Sequence, residues 1–326
     1  GGAILSSNDY ENKINTNSQT EWKNTILDEL KNLQNVKIIT STTLFAYMHY
    51  NYLLAIQDLQ PNTGKDKKNS IRQIVWKIRA KKVILATGSI ERPLTFNNND
   101  RPGIMLANSA SKYLNGYGVN LGEKIVIFTN NDSAYQTAID FHHHNIDITA
   151  VVDVRNNIEG DLPKIVKKLG IKIYSGSIIS NTTGRRKIKT AHIKKINDNN
   201  VEVINCDLLC MSGGWSPTVH LFTQSRGKLK FRDEDSCFVP DQAHQKTISI
   251  GACNGTFDLK NILKETYTSV NHFLNEEEKI LDGELYDAEK INIGKQENAW
   301  IVNKENISKS KMFVDFQNDV TAKDIK

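Results

Sequence analysis

The stretch VILATGSIERPLTFNNNDRPGIM, which runs from Val83 to Met105, begins as an apolar run and continues into a glycine-containing turn. A nearly uninterrupted apolar run is typical of a strand that is buried on both faces in a parallel sheet. The run is followed by Ala86, Thr87 and Gly88, and a glycine at such a strand end lets the backbone approach a ligand closely. The stretch therefore predicts an α/β fold with a nucleotide site at the end of this strand.

The sequence before this strand predicts a helix and an antiparallel meander. Ser18 and Glu21 form a capping-box pattern, and apolar residues then repeat at helical spacing from Trp22 to Leu33, so the helix should end near Asn35. Four strand-like runs follow, and they are VKIIT from Val36, TLFAYMHY from Thr43, YLLAIQDL from Tyr52 and IRQIVWKIRA from Ile71. These elements and the strand at Val83 form a first α/β unit.

A second unit begins at Glu123. The segment EKIVIFT, a helix from Ser133 to His144 and the segment DITAVVDVR predict a βαβ unit with a right-handed connection. The elements expected after it are the helix LPKIVKKLG, the strand IKIYSG, a meander from Ile178 to Asn205, the buried strand CDLLCMSGGW, the strand KTISIGACNG and a helix from Asp258 to Leu274. The sequence thus predicts an α/β protein with two nested, three-layer Rossmann-like domains and antiparallel β-meander crossovers.

The domain boundaries follow from this order of elements. We expect a first dinucleotide-binding domain at residues 1–110, a second Rossmann-like domain at 111–222, a return to the first domain at 223–275, and a polar linker with a truncated C-terminal element at 276–326. The chain opens on Gly1 without a methionine and stops at Lys326, which suggests a piece of a longer polypeptide.

The turn after the first strand of the second unit lacks the glycines of a dinucleotide site. The chain has TNNDSA, from Thr129 to Ala134, where G-x-G-x-x-G would stand. Asp132 should cap the following helix and repel a phosphate, whereas Asp153 at the end of the next strand could accept a ribose hydroxyl. Ordinary nicotinamide binding in this unit is therefore the disfavoured alternative.

Composition and charge exclude several classes of partner. The net charge of +5 comes from scattered basic residues without a basic stripe, so we expect no nucleic acid as a partner. No run reaches the roughly 20 apolar residues that cross a bilayer, so we expect no membrane association. Cys206 and Cys210 have the same parity in an apolar segment, so both should face one buried side as reduced thiols, which indicates a cytoplasmic protein. The run from His142 to His144 closes a helix, and no metal site is predicted.

Four longer strings carry a specific resemblance. They are ATGSIERPLTFNNNDRPGIMLANSASKYLNGYG, IVIFTNNDSAYQTAID, GGWSPTVHLFTQSRGKL and FVDFQNDVTAKDI. Together they resemble the alpha subunits of heterotetrameric sarcosine oxidases, a family of flavoprotein complexes with two FAD/NAD(P)-binding domains in this subunit. The similarity extends over nearly the whole chain.

The resemblance implies a complex and a reaction. The alpha subunit would hold NAD, a beta subunit would carry FAD and the amine site, and FMN would lie at the boundary between them, with gamma and delta subunits completing the complex. The complex would be an oxidoreductase acting on the CH–NH group of sarcosine with oxygen as acceptor. It would convert sarcosine, tetrahydrofolate and O2 to glycine, 5,10-methylenetetrahydrofolate and H2O2, with folate bound on a C-terminal domain that this chain lacks.

The resemblance also implies which residues contact the cofactors. By matching positions it implies NAD contacts at Ala3 beside Gly2, at Leu44, and at Ala252, Phe257 and Leu259. The strand-end residues Ala86, Thr87, Gly88 and Gly251 complete the predicted NAD-binding set. FAD-using relatives end their last strand in Gly-Asp, whereas this chain has Gly251-Ala252, which favours NAD as a held ligand over FAD as a hydride carrier. Leu44, Phe257 and Leu259 could equally be plain core residues.

The loop after the strand at Val83 is a candidate for contact with FMN or the beta subunit through Arg92, Asp100 and Arg101. A polar loop with a turn at Pro102-Gly103 is the structural alternative. No residue of this chain is predicted to be catalytic. Two other functions stay open: a self-contained NAD(P)H-dependent flavin oxidoreductase, and a nucleotide-holding subunit of another amine, proline or opine dehydrogenase.

Overall fold

The computed structural model describes residues 2, 4, 13–59, 71–274, 286–289, 291–300 and 311–325. The predicted α/β class is confirmed, because helices cover parallel strands and antiparallel meanders are inserted between them. The helices are α1 Gln19–Asn32, α2 Ala107–Tyr117, α3 Ser133–His143, α4 Asp161–Lys168, α5 His220–Gln224 and α6 Leu259–Leu274, with a 3-10 turn at Gly251–Asn254. Within the described ranges, no helix is long and apolar enough to cross a membrane.

The strands lie in several small sheets and one larger parallel sheet. They are β1 Lys13–Ile14, β2 Asn17–Ser18, β3 Thr42–Met48, β4 Tyr52–Asp58, β5 Gln73–Arg79, β6 Val83–Leu85, β7 Ser89–Glu91, β8 Ile104–Leu106, β9 Lys124–Thr129, β10 Asp147–Asp153, β11 Ile173–Tyr174, β12 Ser177–Thr183, β13 Thr190–Lys195, β14 Val201–Asn205, β15 Leu208–Ser212, β16 Trp215–Pro217, β17 Lys228–Arg232, β18 Cys237–Gln242, β19 Thr247–Ser249, β20 Phe313–Asp315 and β21 Val320–Thr321.

The first unit contains the predicted meander and one parallel pair. Strands β3, β4 and β5 form the antiparallel meander. Strand β6 pairs in parallel with β19, so the chain returns to the first unit after the second unit is complete. The prediction that β6 is buried on both faces was wrong, because Ile84 is 37% exposed while its neighbours on the strand are buried. The predicted strand at residues 36–40 was also wrong. Those residues have no strand partner in the described part of the chain, and a strand requires a paired neighbour.

The second unit is built on a five-stranded parallel sheet with the order β11-β10-β9-β15-β8. Alternate residues of β15 enter two different cores, as the two-residue period of a strand requires. Leu208 and Cys210 pack with helices α2 and α3, whereas Leu209 and Met211 pack with the β12–β14 meander. The sheet is thus the middle of three layers, with helices on one face and a meander on the other.

The two cysteines near β15 do not share a face, so that prediction was wrong. Cys210 lies in the core on the helix side, and Cys206 lies in the core on the meander side. The reason is that β14 ends at Asn205 and β15 begins at Leu208, so the alternation does not run unbroken through the connection. Burial itself is confirmed for both thiols, and it raises the pKa of Cys206 to about 12.

Two short strands connect the units. The chain leaves the first unit through β7 and comes back through β16, and these strands pair antiparallel, with Trp215 opposite Glu91. Helix α1 precedes both connections. Its predicted capping box is present, since Ser18 Oγ accepts from Glu21 N at 3.2 Å and Glu21 Oε2 accepts from Ser18 N at 3.0 Å.

Candidate nucleotide sites

The first crevice lies at the carboxyl ends of β6 and β19. Leu85 pairs with Ser249, and Ile250 N donates a hydrogen bond to Leu85 O at 3.0 Å. The residues that follow each strand therefore stand side by side at one edge. Because ligands of open α/β sheets bind beyond the carboxyl ends of the strands, this edge is where a nucleotide would bind. The structure thus brings the predicted residues around positions 86–88 and 251–252 together.

The turn after β19 is held in a conformation that suits glycine. Gly251 is buried with φ +68°, which is the left-handed region that L side chains rarely adopt. The turn is tied to β6, since the Sγ of Cys253 donates to Leu85 O at 3.2 Å. Ala252, Phe257 and Leu259 are half-buried around this turn and the start of α6. The backbone after β19 is therefore fixed at the edge of the first crevice.

The other predicted NAD contacts occupy varied environments. Ala86 and Thr87 are exposed, and Thr87 Oγ1 donates to Thr218 O at 2.8 Å. Leu44 is partly exposed and packs against the core cluster around Tyr47. Gly2 is exposed, whereas Ala3 lies outside the described residues.

The loop after β7 places its two arginines on different elements. Arg92 donates to Ser236 O at 2.8 Å and to Asp235 O at 3.0 Å, and its guanidinium lies 4.8 Å from the ring centroid of Trp300. Burial lowers the pKa of Arg92. Arg101 instead donates to Thr182 O at 3.3 Å, and Asp100 is exposed. A cleft of about 480 Å³ opens beside the first arginine, lined by Arg92, Pro93, Thr95, Asn298, Ala299, Trp300 and Val314.

The second crevice, at the carboxyl ends of β9, β10 and β15, contains a buried ionic network. Asp153 has no exposed surface and accepts from the Tyr135 hydroxyl at 2.8 Å and from Arg155 Nη2 at 2.7 Å. Arg155 Nη1 also lies 2.8 Å from Asp132 Oδ1. Asp153 is therefore closed to a ribose hydroxyl, since both its oxygens are bonded within the protein.

The network fixes the charge states of its donors. Burial acts against the charge of Arg155, but its hydrogen bonds to Asp153 and the two nearby carboxylates outweigh burial, so its pKa lies above the ordinary value. Burial, and next the charge of Asp153, raise the pKa of Tyr135. The tyrosine thus remains a hydroxyl donor and the arginine a cation. The sequence did not lead us to predict a role for Tyr135 or Arg155. The Asp-x-Arg spacing at the end of β10 could have indicated the ion pair of Arg155.

The prediction that Asp132 caps α3 was wrong. Its side chain makes no cap hydrogen bond to the helix, because its oxygens are taken by Arg155 and by the amide of Gly294, at 2.6 Å. Asn131 supplies the local bond in its place, since its Oδ1 accepts from Ser133 N at 3.0 Å. Among the described residues, no three His, Cys, Asp or Glu side chains are grouped as a metal site requires.

The fold and its crevices define a class. Nested α/β units with crevices at the carboxyl ends of their parallel strands are the architecture of Rossmann-like, FAD/NAD(P)-binding oxidoreductases. An L-proline dehydrogenase from P. horikoshii has this fold with a TM-score of 0.59 and 18% identity, over 85% of this chain and 48% of its own. The T. acidophilum thioredoxin reductase has a TM-score of 0.53 and 14% identity, over 74% of each chain. At these identities the likeness shows the fold alone.

The curated relatives are more specific. A sarcosine oxidase subunit alpha from Corynebacterium sp. strain U-96 is 31% identical over 94% of this chain, and one from Rhizobium meliloti strain 1021 is 29% identical over 100% of it. The resemblance inferred from the sequence is thereby confirmed: the chain is similar to sarcosine oxidase alpha subunits along nearly its whole length. It spans about a third of the length of these relatives, 32% of each. No protein-family model matches the chain.

Two of the strings that carried the resemblance meet in space. Asn98 N donates to Lys311 O at 2.8 Å, and Phe313 N donates to Asn99 Oδ1 at 2.8 Å. The amide of Asn99 returns a bond to Phe313 O at 2.8 Å. FNNND and FVDF are therefore two sides of one contact between the β20–β21 hairpin and the loop before β8.

Proposed function

We propose that this chain is the nucleotide-holding part of an oxidoreductase complex of the sarcosine oxidase type, and that it binds NAD in the first crevice without turning it over. The observation that carries the proposal is the edge formed by β6 and β19, which ends in Gly251-Ala252. Alanine offers no carboxylate to accept the hydroxyls of a flavin's ribityl chain. A dinucleotide can still lie against the backbone at this edge, since ligands of open α/β sheets bind beyond the carboxyl ends of the strands.

The cysteines support a held nucleotide rather than a thiol relay. The four cysteines are free and buried, and burial raises the pKa of Cys206 and Cys237 to about 12. A thiol with so high a pKa is almost entirely protonated at neutral pH, and the thiolate is the form that reacts. Electron transfer through a flavin and a thiol pair in this chain is therefore disfavoured.

The proposal extends to the complex. In it, FAD and the amine site belong to a beta subunit, FMN lies between beta and this chain, gamma and delta subunits complete the assembly, and tetrahydrofolate binds a C-terminal domain. The overall reaction is sarcosine, tetrahydrofolate and O2 to glycine, 5,10-methylenetetrahydrofolate and H2O2, in the cytoplasm. Support comes from the relatives, whose names describe one subunit of a sarcosine oxidase. The division near residues 110, 222 and 275 belongs to the same proposal, with the first boundary set before β8, since β8 pairs with β15 in the sheet of the second unit.

The cleft beside Arg92 is the proposed FMN-facing surface. Arg92 lines this cleft, so an anionic group there would meet the positive charge of its guanidinium. Trp300 offers an aromatic wall at the same place. Asp100 is exposed and Arg101 is hydrogen-bonded to Thr182 of the meander, so these two are proposed as contacts to the beta subunit rather than to the flavin.

The first experiment identifies the nucleotides. The full-length chain is purified with its co-expressed partners, its flavin spectrum is recorded, and the nucleotides released from each separated subunit by denaturation are identified by mass spectrometry. NAD from this subunit, with non-covalent FAD from a partner, is the expected result. FAD from this subunit, with NADH bleaching the spectrum, would contradict the proposal and favour a self-contained flavin oxidoreductase. Assay of the complex with sarcosine and with proline decides the amine.

A matched pair of variants tests the site itself. Ala252→Asp places a carboxylate beside the expected pyrophosphate, whereas Ala252→Asn adds a side chain of the same size without charge. At an effective dielectric constant near 20, repulsion across about 8 Å lowers affinity by roughly tenfold or more. We therefore expect equilibrium dialysis to show much weaker NAD binding for Ala252→Asp than for Ala252→Asn. Equal affinities of the two variants would remove Ala252 from the site.

A further inference from the structure

The second crevice is covered by a segment of the chain itself. Residues 291–300, here called the covering segment, have no regular secondary structure and lie over the carboxyl ends of β9, β10 and β15. Sequence reasoning assigned them to a polar linker. Their contacts are instead specific and run along the carboxyl ends of the three central strands of the parallel sheet.

The first half of the covering segment contacts the end of β10 and the start of α3. Asn292 N donates to Asp161 Oδ2 at 2.9 Å, at the beginning of α4. Gly294 N donates to Asp132 Oδ2 at 2.6 Å, and Arg155 Nη1 donates to Lys295 O at 3.1 Å. The buried network of the second crevice is therefore completed by main-chain groups of the covering segment.

The second half contacts the turn after β9 and the end of β15. Glu297 N donates to Asn130 O at 3.0 Å, and the side-chain amide of Asn130 donates back to Glu297 O at 2.8 Å. Trp300 Nε1 then donates to Gly213 O at 2.7 Å, just after β15 ends. A reciprocal pair of bonds thus anchors the segment at the position where a glycine-rich turn would hold a pyrophosphate.

The covering segment follows the path that a bound dinucleotide takes across a Rossmann-like sheet. In a Rossmann-like sheet the ribose binds at the end of the second strand, the pyrophosphate at the first βα turn, and the other half at the strand on the far side of the switch point. The corresponding places here are the ends of β10, β9 and β15, in the order in which residues 292–300 pass them. A peptide occupies the whole path.

The chemistry of the crevice suits a peptide and opposes a phosphate. Asp132 and Asp153 together carry two negative charges against the single positive charge of Arg155, and all three side chains are at most 3% exposed. The remaining negative charge attracts an N–H donor, which Gly294 supplies, and repels an anion. Gly294 suits this close approach, because an added Cβ would lie 3.2 Å from Asp132 Oδ2 and from Gly160 N, which is tighter than an ordinary contact.

We propose that the covering segment is the resident occupant of the second crevice, so that this unit binds its own chain in place of a nicotinamide nucleotide. The segment also reaches outside that unit, since Gln296 Nε2 donates to Asp235 O at 3.4 Å and Trp300 O accepts from Thr95 N at 2.7 Å. It therefore holds the β17–β18 hairpin, the loop after β7 and the second unit in one fixed arrangement. This inference does not depend on which nucleotide the first crevice holds.

The test uses hydrogen exchange and NADH binding on the full-length complex. The amides of Gly294 and Glu297 should exchange at least about tenfold more slowly than an unstructured peptide. Gly294→Val, whose branched side chain would crowd Asp132 and Gly160, should weaken this protection and speed exchange in the loop at 130–132. Ile293→Ala is the matched control, because Ile293 is 56% exposed and lies beside Gly294 in the segment. It should leave both regions protected.

NADH binding gives the second readout. With the resident nucleotide in place, the wild-type complex should take up no further NADH in equilibrium dialysis at this chain. Exchange of residues 291–300 at the peptide rate in the wild type, or a second NADH bound while those amides stay protected, would overturn the inference. If Gly294→Val does not fold, Trp300→Ala provides the same exchange measurement, since it removes the bond to Gly213 at the other end of the segment. Absence of NAD from the released nucleotides would defeat the proposed function but leave the exchange pattern untouched.

Discussion

At the scale of single residues, Glu91 is a buried acid at the junction between the units. Its side chain is 6% exposed, and its Oε2 accepts a hydrogen bond of 2.9 Å from Asn108 N at the start of α2. Burial raises the pKa of Glu91 from 4.5 to about 7. The folded protein therefore keeps a proton on this carboxyl in a pH range where the unfolded chain has lost it.

The sign of the pH dependence follows from this difference. Since the pKa is higher in the folded state, stability from this group is fully present below pH 4.5 and is lost as pH rises toward about 7. A difference of this size corresponds to about 3 kcal/mol of unfolding free energy. We expect Glu91→Gln to remove that slope in urea unfolding measured between pH 4.5 and 8. The exposed Glu123→Gln serves as control and should keep it; an unchanged slope in Glu91→Gln would show that another group is responsible.

Asp132 also shows why a prediction from local sequence alone can fail. Asp132 was correctly found at the start of α3, and its cap was predicted from local chemistry alone. The structure instead pairs it with Arg155 and with Gly294, which arrives from far along the chain. A capping rule considers neighbours in sequence, whereas a buried carboxylate takes whichever donors the fold brings to it. The occupied second crevice was unpredictable for the same reason.

At the scale of elements, helix α1 depends on its own capping box. Of its residues only Gln19 is buried, so tertiary packing stabilises the helix little, and isolated helices of this length are marginal in water. Ser18→Ala removes the side-chain bond to Glu21 N, which is worth about 1 kcal/mol at a helix start. We expect amide exchange within α1 to become roughly fivefold faster, with little change in the global unfolding transition.

The control for this helix is the exposed Asn24→Ala, which changes an interior position without touching the cap. Alanine has the higher helix propensity, so exchange in α1 should stay the same or become slower. Equal acceleration in both variants would mean that the helix opens for a reason other than its cap.

The elements that could be predicted are those with a local signature. The meander of β3 to β5, the βαβ unit of β9, α3 and β10, and the capped α1 all follow from periodicity and turn chemistry. The failures involve pairing. Residues 36–40 have a strand-like composition but no partner among the described residues, whereas the short β8 becomes a strand because β15 lies beside it. A strand partner that is distant in sequence does not change the hydrophobic periodicity of either segment, so periodicity alone does not predict the pair.

At the scale of the whole molecule, the two crevices differ in the groups that lie across them. The second is crossed by residues 291–300, and its acids are paired inside the protein. The first presents Ala86 and Thr87 exposed at its rim and Gly251 in a fixed turn. Under the two proposals above, the second crevice is filled by the chain itself and the first binds NAD. Binding energy from NAD should therefore stabilise the first unit.

Ligand linkage makes this measurable. A nucleotide that binds only the folded state stabilises it by about 2.7 kcal/mol at a concentration of 100 times Kd, which raises Tm by about 5–10 °C for a unit of this size. The full-length complex, stripped of nucleotide and followed by scanning calorimetry, should show this rise with NAD in the wild type and in Ala252→Asn, and a smaller one in Ala252→Asp. Gly294→Val should keep the full rise, because its change lies in the other crevice. If FAD rather than NAD produced the larger shift, the nucleotide assigned to the first crevice would be wrong, since linkage ranks ligands by their affinity for the folded protein.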